Sequence, residues 1–393
     1  MDIDVTWLLL GLPLAFVLGW GASRIDIRQL RLENKRSPKA YFRGLNYLLN
    51  EQQDLAIDAF IEAVQNDPDT SELHFALGNL FRRRGEYDRA VRVHEHLLSR
   101  GDLKQDDRDR AQHALSLDFL KAGLLDRAED ALGKLENTRY EPQARLARLA
   151  IYERTRDWPQ AALIAQQLQN TEQGDFSTRI AHYLCEEAIP LALPTATANQ
   201  HTQAITLLER AVAIAPEASR GRIELSALQD LMGNAAQAYA TLAQVLTQSP
   251  AASPLVVHKL QLLAVACGQE SQAFMALQKA YQQSHSVDVL EAMVALQNAR
   301  PRANPDGPID ARAWYTQHLE KEPSLSVASR WLAGEKLEHE QFHPQVQRAL
   351  DKAVKPLLQY RCAACGFTAQ RHFWHCPGCQ AWDSYPARRI EEL

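Results

Sequence analysis

The residues of this sequence with the clearest chemistry are four cysteines near its C-terminus, arranged as C-x2-C-x10-C-x2-C. A C-x2-C turn directs two thiolates at one point, and two such turns complete a tetrahedral four-sulfur site. Gly366 follows the first pair and Gly378 lies inside the second, so the backbone can turn tightly with its N–H groups towards sulfur. We therefore predict one metal ion, with these ligands: Cys362, Cys365, Cys376 and Cys379.

Other interpretations of this cysteine segment are weaker. Two disulfides would also pair four cysteines, but the cytoplasmic, reducing location predicted below disfavours them. His372 and His375 are candidate substitute ligands, although four thiolates already complete a site. A segment this short needs metal to fold, and a small aromatic core is expected to support it. The expected core residues are Phe367, Phe373, Trp374, Trp382 and Tyr385.

The cysteine pairs resemble rubredoxin-type or zinc-ribbon knuckles, and their spacing does not distinguish Zn²⁺ from iron. The ten-residue gap between the pairs is shorter than in free-standing rubredoxins, which disfavours a simple electron carrier. A ribbon that binds nucleic acid is also disfavoured, because basic residues are few and acidic residues leave this tail nearly neutral. We expect no nucleic-acid partner.

The composition of the whole chain limits the architecture that positions this site. The 393 residues include only 17 Gly and 18 Pro, about 9% together, against roughly 12% in average soluble domains. So few turn formers argue against an all-β sandwich or barrel, and 46% hydrophobic residues argue against global disorder. The net charge of -5 gives no indication of nucleic-acid binding.

An uncharged, mostly apolar run of eighteen residues, 5–22, predicts a single transmembrane helix. Trp7 and Trp20 lie near its ends, where aromatic rings favour the membrane–water interface. Basic residues follow the run, which predicts a periplasmic N-terminus and a cytoplasmic remainder. A cleaved signal peptide would carry its basic residues before the run, and a buried core helix would show a polar face; the sequence has neither pattern.

The middle of the chain repeats with a period near 34 residues. The segment from Gly44 to Pro68, with Ala56 and Phe60 between them, resembles a tetratricopeptide repeat of two antiparallel helices. A small residue is needed where the two helices cross, and alanine recurs there. These alanines are Ala56, Ala90, Ala128, Ala161, Ala204, Ala238 and Ala273. Glycines five residues before four of them are expected to form the turn between the helices: Gly85, Gly123, Gly233 and Gly268.

Together these patterns predict an all-α fold with an N-terminal transmembrane helix, a tetratricopeptide-repeat superhelix (an α-solenoid) and a small C-terminal rubredoxin-like or zinc-ribbon knuckle domain. The predicted domains are a transmembrane anchor at 1–23, a basic juxtamembrane segment at 24–36, the repeat array at 37–355 and the metal-binding domain at 356–393. Residues 190–197 are an insertion, expected as a loop or an extended first helix. One or two degenerate repeats are expected at about 285–355.

The sequence of the array carries no recognisable catalytic motif, such as H-E-x-x-H, G-x-S-x-G or a Walker A loop. We therefore predict that the protein is not an enzyme and has no catalytic residues. Cys185 and Cys267 are expected to be small buried apolar residues. His94 and His96 point apart on a helix, so they are not expected to share a metal. The run Arg82-Arg83-Arg84 is expected to end a helix.

The order of these parts resembles the lipopolysaccharide assembly protein B (LapB/YciM) family of Gram-negative bacteria. The resemblance covers nearly the full chain, including the apolar run, the stretch G-L-N-Y-L-L-N-E-Q-x-D-x-A-I-x-x-F from Gly44 to Phe60 and the closing C-x-x-C-G-F. It implies a rubredoxin-like domain packed on the repeat array, with the four cysteines as metal ligands. It also implies an inner-membrane adaptor rather than an enzyme.

The same resemblance implies partners. Members of the family limit lipopolysaccharide synthesis by delivering the lipid A deacetylase LpxC to the membrane protease FtsH. The inner-membrane regulator PbgA (LapC) restrains them through the transmembrane region, so residues 5–22 are the expected partner-binding helix as well as the anchor. Contacts with lipopolysaccharide transport proteins and a homo-oligomer stay open. The alternatives are a redox-active rubredoxin-like protein with a repeat scaffold, and a general envelope-assembly scaffold.

Overall fold

The structure is a computed structural model, and it describes residues 16–20, 39–66, 70–170, 174–299, 311–335 and 341–393. The chain divides into two compact units, Met1–Thr155 and Arg156–Leu393. Helices make up both units, and the second also contains the four-cysteine segment.

The predicted membrane segment, residues 5–22, is described only at 16–20, which are helical; the rest of it lies outside the described residues. The predicted basic segment 24–36 lies outside them as well. Within the described ranges, no helix combines the length and the apolar character needed to cross a membrane.

Helices of the first unit follow one another as pairs joined by short turns. They are α1 (39–49), α2 (Gln53–Asn66), α3 (Ser71–Arg84), α4 (Tyr87–Ser99), α5 (Gln105–Ala122), α6 (Leu125–Gly133) and α7 (Glu141–Thr155). Helix α3 shows why they form: Leu73, Leu77 and Leu80 fall on one face at helical spacing, and all three are buried. As the sequence predicts, α3 ends at Arg84.

The second unit continues the pattern with longer connections and ends in the four-cysteine segment. Its helices are α8 (Trp158–Asn170), α9 (Ser177–Ala188), α10 (Ala198–Ile214), α11 (Ser219–Leu231), α12 (Ala235–Ala243), α13 (Val245–Gln248), α14 (Ser253–Ala266), α15 (Glu270–Ser284), α16 (Val287–Ala299), α17 (Ala311–Lys321), α18 (Leu325–Ala333) and α19 (His343–Val354). Helix α16 lies in the core of the second unit, because its buried residues face several directions. They include Val289, Leu290, Met293 and Leu296.

The seven marker alanines confirm the repeat assignment, because every one of them is 0% exposed and lies on the second helix of its pair. The residue four positions after each alanine is buried too. It is Phe60 in the first repeat and His94 in the second, so this histidine occupies the aromatic position of the repeat. Where both helices of a pair belong to one unit, they therefore cross at a small residue, and a larger buried residue follows one turn later.

His94 is consequently a structural residue. Its Nδ1–H donates to Asp118 across 2.5 Å, and both side chains are fully buried. Arg82 donates to the other oxygen of Asp118 across 2.8 Å, which draws the first arginine of the predicted run into this network. His96 instead stacks on His74, so the two histidines of the H-x-H pair do point apart.

The turns between paired helices use one backbone conformation repeatedly. The four predicted glycines all have positive φ; at Gly85 the angle is 82° and the N–H donates to two carbonyls of α3. Two repeats that lack the glycine adopt the same conformation, at Glu51 with φ of 59° and at Arg156 with φ of 62°. Residues other than glycine rarely adopt this left-handed backbone conformation, so we infer that the geometry of the repeat imposes it on Glu51 and Arg156.

The insertion at 190–197 is mostly short 3-10 helix and turn. A 3-10 helix spans Ile189–Ala192, and Thr197 is the N-cap residue of α10, in a capping box completed by Gln200. Cys185 is fully buried in α9, and burial raises the pKa of its thiol to about 12. Cys267 is only partly buried, at the end of α14, so the prediction of burial is right for one of these two cysteines.

Candidate metal centre

The first cysteine pair lies on the loop between two short antiparallel strands, β1 (Tyr360–Arg361) and β2 (Thr368–Ala369). The N–H of Gly366 donates to the carbonyl of Cys362 across 2.9 Å, and the N–H of Cys362 donates to Phe367 across 2.9 Å. Gly366 has φ of 77°, which favours glycine at this turn, as the sequence predicts.

The second cysteine pair has the same backbone pattern without the expected glycine. The N–H of Gln380 donates to the carbonyl of Cys376 across 2.8 Å, and the N–H of Cys376 donates to Ala381 across 2.9 Å. Gln380 carries the positive φ, 59°. A Cβ at Gly378 would lie 3.5 Å from Phe367 and 3.6 Å from the Cys365 sulfur. These are ordinary van der Waals distances, so the packing at Gly378 does not require a glycine.

The four sulfur atoms lie within 4.8 Å of one another and form a site for one metal ion. Cys362 and Cys379 sulfurs are 3.8 Å apart, and those of Cys365 and Cys376 are 3.7 Å apart. A tetrahedral ion with metal–sulfur bonds of about 2.3 Å separates its ligands by about 3.8 Å, whereas a disulfide needs about 2.05 Å. The arrangement fits a four-thiolate ion, Zn²⁺ or iron.

The surroundings lower the pKa of two thiols, those of Cys362 and Cys376; at Cys376 burial is outweighed by the backbone N–H groups of Cys379 and Gly378. Burial opposes loss of the proton from Cys362, but the Ser384 hydroxyl, 3.3 Å from its sulfur, and the backbone N–H groups of Cys365 and Ala364 outweigh it. They lower the pKa of the Cys362 thiol to about 6. At Cys365 an N–H from Phe367 favours the thiolate, but burial and the three neighbouring thiols raise its pKa to about 12. A metal ion replaces these shared protons when it binds.

The two histidines of this segment are not ligands in the structure. His372 pairs its Nε2 with the carbonyl of Tyr385 at 3.0 Å, and the ring of His375 stacks on Trp382 at 4.4 Å between centroids. Among the described residues, the group with the geometry to hold a metal is the four cysteines.

The expected aromatic core is only partly present. Tyr385 is buried and its hydroxyl donates to the carbonyl of Phe367, while the Phe367 ring is 45% exposed. Phe373 packs beside Tyr385 at 5.9 Å. Trp374 and Trp382 contact His372 and His375 of their own segment and also His182 of α9, so the repeat helices share these rings, while Phe367 lies outside the core. The metal, rather than an aromatic core, has to hold the knuckles together.

Trp382 attaches the four-cysteine segment to the repeat helices α8 and α9. Its ring packs edge-on against Trp158 at 6.0 Å and Tyr183 at 5.8 Å, and it stacks on His182 at 5.0 Å. The next residue, Asp383, accepts from His182 Nε2–H at 2.8 Å. Aromatic packing and a charge-assisted hydrogen bond therefore act at the same point.

Buried charges orient His182 from the other side. Arg220, on α11, lies 3.4 Å from His182 Nδ1 and donates to Glu186 across 2.6 Å. Its side chain is nearly fully buried, so the guanidinium holds the imidazole with Nδ1 as acceptor and Nε2–H directed at Asp383.

The C-terminal residues of the chain cap two repeat helices. Glu391 accepts from the N–H groups of Leu325 and Ser326 at the start of α18, at 2.5 and 3.0 Å. Glu392 accepts from the N–H of Val287 at the start of α16, at 2.6 Å. A carboxylate at a helix N-terminus satisfies otherwise unpaired N–H groups and interacts favourably with the helix dipole.

Arg389 adds a third attachment next to these caps. It forms two hydrogen bonds to Asp288 of α16, at 2.8 and 3.1 Å, and its guanidinium lies 4.3 Å from the centre of the Tyr360 ring. The four-cysteine segment is thus joined to α8, α9, α16 and α18 of the second unit. The family resemblance implied this packing, but sequence reasoning did not identify the residues that make it, because no local pattern links residues a hundred positions apart.

Two family models match parts of the chain. Residues 360–385 match the model described as "Rubredoxin metal binding domain". Residues 73–111, which cover α3, α4 and the start of α5, match the tetratricopeptide repeat model.

Curated relatives match nearly the full chain. Lipopolysaccharide assembly protein B of Escherichia coli K12 is 31% identical and the match covers 98% of this chain and 99% of the relative. The Haemophilus influenzae protein of the same name is 28% identical, and the match covers 97% of this chain and 97% of the relative.

Helical repeat structures are also similar to this chain. A tetratricopeptide repeat protein from Parabacteroides merdae is 15% identical, with a TM-score of 0.33, covering 67% of this chain and 99% of its own. A Naa15/Naa10 complex with HypK is 18% identical, with a TM-score of 0.42, covering 86% of this chain and 56% of its own.

Proposed function

This chain belongs to the lipopolysaccharide assembly protein B family, and we propose on that basis that it is a non-enzymatic adaptor in lipopolysaccharide assembly. The proposal extends to the inner membrane as its location, with residues 5–22 as a single anchor and the remainder on the cytoplasmic side. The adaptor delivers the deacetylase LpxC to the membrane protease FtsH, and the regulator PbgA (LapC) acts through the anchor.

The observation that carries the proposal is the attachment of the metal centre to the repeat helices. Trp382, Glu391 and Glu392 all contact helices of the second unit, so the four-cysteine segment is built as part of a scaffold. The two buried cysteines, Cys362 and Cys376, belong to a small apolar cluster against which Leu255 of α14 packs. A rigid helical surface that presents side chains to another polypeptide is what a repeat adaptor requires.

The anchor supplies the other half of the mechanism. A substrate bound to a chain confined to the bilayer surface meets a membrane protease at a much higher effective concentration than a free substrate does. Rate enhancement then comes from proximity, and the chain itself needs no catalytic group.

The test is the lifetime of the deacetylase in cells that lack the endogenous adaptor and produce variants of this chain at matched levels. The full chain is expected to shorten that lifetime. A chain without residues 1–23 is expected to stay folded and to leave the lifetime long, because the tether is gone. Rapid degradation with this shortened chain would refute the tether, and a long lifetime with the full chain would refute the adaptor function.

Electron transfer is the second candidate function, favoured by the exposure of Cys365 and Cys379 at the surface of the site. An electron carrier needs its metal close to the surface. The purified full chain would then contain iron, show the optical spectrum of an iron–thiolate centre and be reversibly reduced. Colourless protein with one Zn²⁺ per chain would exclude this candidate.

A further inference from the structure

A cavity of about 280 Å³ lies in the second unit, between the end of α9, α10 and α11. Of the nine described residues that line it, eight are Ala, Ile or Leu, and the ninth is Glu224. An apolar cavity of about 150 Å³ can hold benzene, whereas cavities for drug-sized ligands usually have about 300–1,000 Å³. The volume of this cavity therefore suits one long side chain of a partner protein.

Helix α11 supplies one wall of the cavity through a single face. Glu224, Ala227, Leu228 and Leu231 follow one another at spacings of three and four residues, which places them on the same side of the helix. Leu228 is buried, as is Leu208 of α10, while Leu231 is 45% exposed. The cavity consequently has an aliphatic floor, an open aliphatic rim and one carboxyl group.

The insertion that interrupts the repeat period supplies another wall. Ile189, just before the insertion, and Leu193, within it, line the cavity and are 38% and 50% exposed. The insertion is held in place, because the carbonyl of Leu193 accepts from the Nε2–H of His201 and from the N–H of Ala196, both at 3.0 Å. An exposed apolar rim around a preformed cavity is typical of a surface that binds another protein.

Glu224 is the ionisable residue among the described residues of the lining, and its charge is only partly balanced. Its side chain forms no hydrogen bond with any residue that the structure describes. Arg220 Nε lies 3.9 Å from Glu224 Oε1, and this nitrogen is itself buried without a hydrogen-bond partner. Arg220 donates to Glu186 instead, across 2.6 Å. Two carboxylates therefore share one guanidinium, and the group lacks one positive charge.

The ionisation of Glu224 reflects this imbalance. Burial raises the pKa of its carboxyl group, the Arg220 guanidinium opposes the rise, and the nearby carboxylate of Glu186 adds to it. A further cation beside Glu224 would favour the ionised carboxylate. The lining is therefore complementary to a ligand that is aliphatic along its length and positively charged at one point.

Lysine is the side chain with this chemistry. Its four methylene groups suit aliphatic walls, and its ammonium group offers three donors to a carboxylate. A purely apolar side chain would bury Glu224 without giving it a partner, and a second carboxylate would be repelled. We propose that this cavity receives a lysine side chain of the protein substrate. The inference rests on the proposed adaptor function and names a residue type by which the substrate is recognised.

The test uses the full chain purified in detergent, with the intact deacetylase and fluorescent overlapping peptides that tile its sequence as probes. Glu224→Gln keeps the shape of the side chain and removes its charge. Glu217→Gln is the matched control, because Glu217 is exposed just before α11 and does not line the cavity. We expect Glu224→Gln to weaken binding of the deacetylase and of one lysine-containing peptide about tenfold or more, as loss of a charge-assisted hydrogen bond does, and Glu217→Gln to change neither.

Acetylation of the lysine in that peptide tests the same contact without any change in the chain. It removes the positive charge, so it should weaken binding to the parent chain by a similar factor and have little further effect on Glu224→Gln. Equal loss on acetylation for the parent chain and for Glu224→Gln would overturn the pairing of lysine with this carboxylate.

Ala227→Trp fills the cavity from an exposed position, and Ala236→Trp is its control at an exposed position of α12 outside the cavity. We expect Ala227→Trp to weaken binding of both probes about tenfold or more and Ala236→Trp to change neither. Glu224→Gln should melt no lower than the parent chain, because the carboxylate has no hydrogen bond within the described residues to lose.

The outcomes separate this inference from the function on which it rests. If the parent chain does not bind the intact deacetylase, the proposed function fails and the cavity assignment fails with it. If the parent chain, Glu224→Gln and Ala227→Trp bind the deacetylase equally, the adaptor function stands and the cavity is overturned as a binding site. If only Ala227→Trp weakens binding, the occupant is an apolar side chain and the assignment of lysine is overturned.

Discussion

Replacing Trp382 by alanine should detach the four-cysteine segment from α8 and α9 while leaving its metal in place. The indole ring has three partners across this contact, His182, Tyr183 and Trp158, at 5.0–6.0 Å between centroids. Inside its own segment the ring also stacks on His375 at 4.4 Å, and none of these ring contacts involves a cysteine sulfur. The variant therefore separates two effects that a cysteine substitution would combine, loss of metal and loss of attachment.

The magnitude follows from these contacts. Aromatic pairs contribute about 0.5–1.5 kcal/mol each beyond burial, so three of them are worth roughly 1.5–4.5 kcal/mol. Truncation of a fully buried Trp usually costs about 3–5 kcal/mol, and Trp382 is only half-buried. We expect about 2–4 kcal/mol. For a unit of about 200 residues each kcal/mol lowers the melting temperature by about 2–4 °C, which gives roughly 4–16 °C.

The assay combines thermal unfolding, metal analysis and hydrogen exchange on the full chain. Trp382→Ala should keep one metal ion per chain and lose protection from exchange in α8, α9 and the four-cysteine segment. Phe367→Ala is the matched control, because this aromatic residue belongs to the same segment, is 45% exposed and has no ring contact with α8 or α9 among the described residues. The reasoning is refuted if Trp382→Ala melts and exchanges like the control, or if it loses its metal.

Three further predictions concern single positions. Cys362→Ser should abolish metal binding, measured by elemental analysis, and expose residues 360–385 to protease, because the ion holds the two knuckles together; retained metal would contradict the ligand assignment. Arg156→Gly should stabilise the protein by about 0.5–1 kcal/mol in thermal unfolding, because φ is 62° at this residue. Gly85→Ala is the opposite change at a positive φ and should destabilise the protein by about 1 kcal/mol. A change of stability in the same direction for both variants would be inconsistent with a backbone cause. Gly78→Ala places a Cβ about 2.5 Å from the buried His94 ring and should cost about 1–3 kcal/mol, whereas Gly101→Ala meets nothing and should be neutral in the same assay.

The parts of the fold that were predictable from sequence are those with a local physical cause. Each marker alanine repeats because two helices cross there, and its burial follows from that crossing. The cysteine spacing was equally informative, because two C-x2-C turns are sufficient to place four thiolates at one point. In both cases the signal lies within a few tens of residues.

The parts that were missed depend on contacts between distant residues. Glu391 and Glu392 read as an ordinary acidic terminus, and only the folded chain brings them to the starts of α18 and α16. Trp382 was expected inside its own small domain, and it does stack on His375 there, but it also packs against Trp158 and Tyr183 on α8 and α9. Gln380 shows a third limit, because the knuckle imposes a left-handed conformation on a residue that does not favour it.

The central claim is that this chain is an adaptor that brings a protein substrate to a membrane protease. The most direct measurement is the degradation rate of purified LpxC by FtsH in proteoliposomes, with and without the full-length chain loaded with metal. Adding the chain should accelerate degradation, and any loss of LpxC should require FtsH. An unchanged degradation rate in the presence of the bound, metal-loaded chain would contradict it.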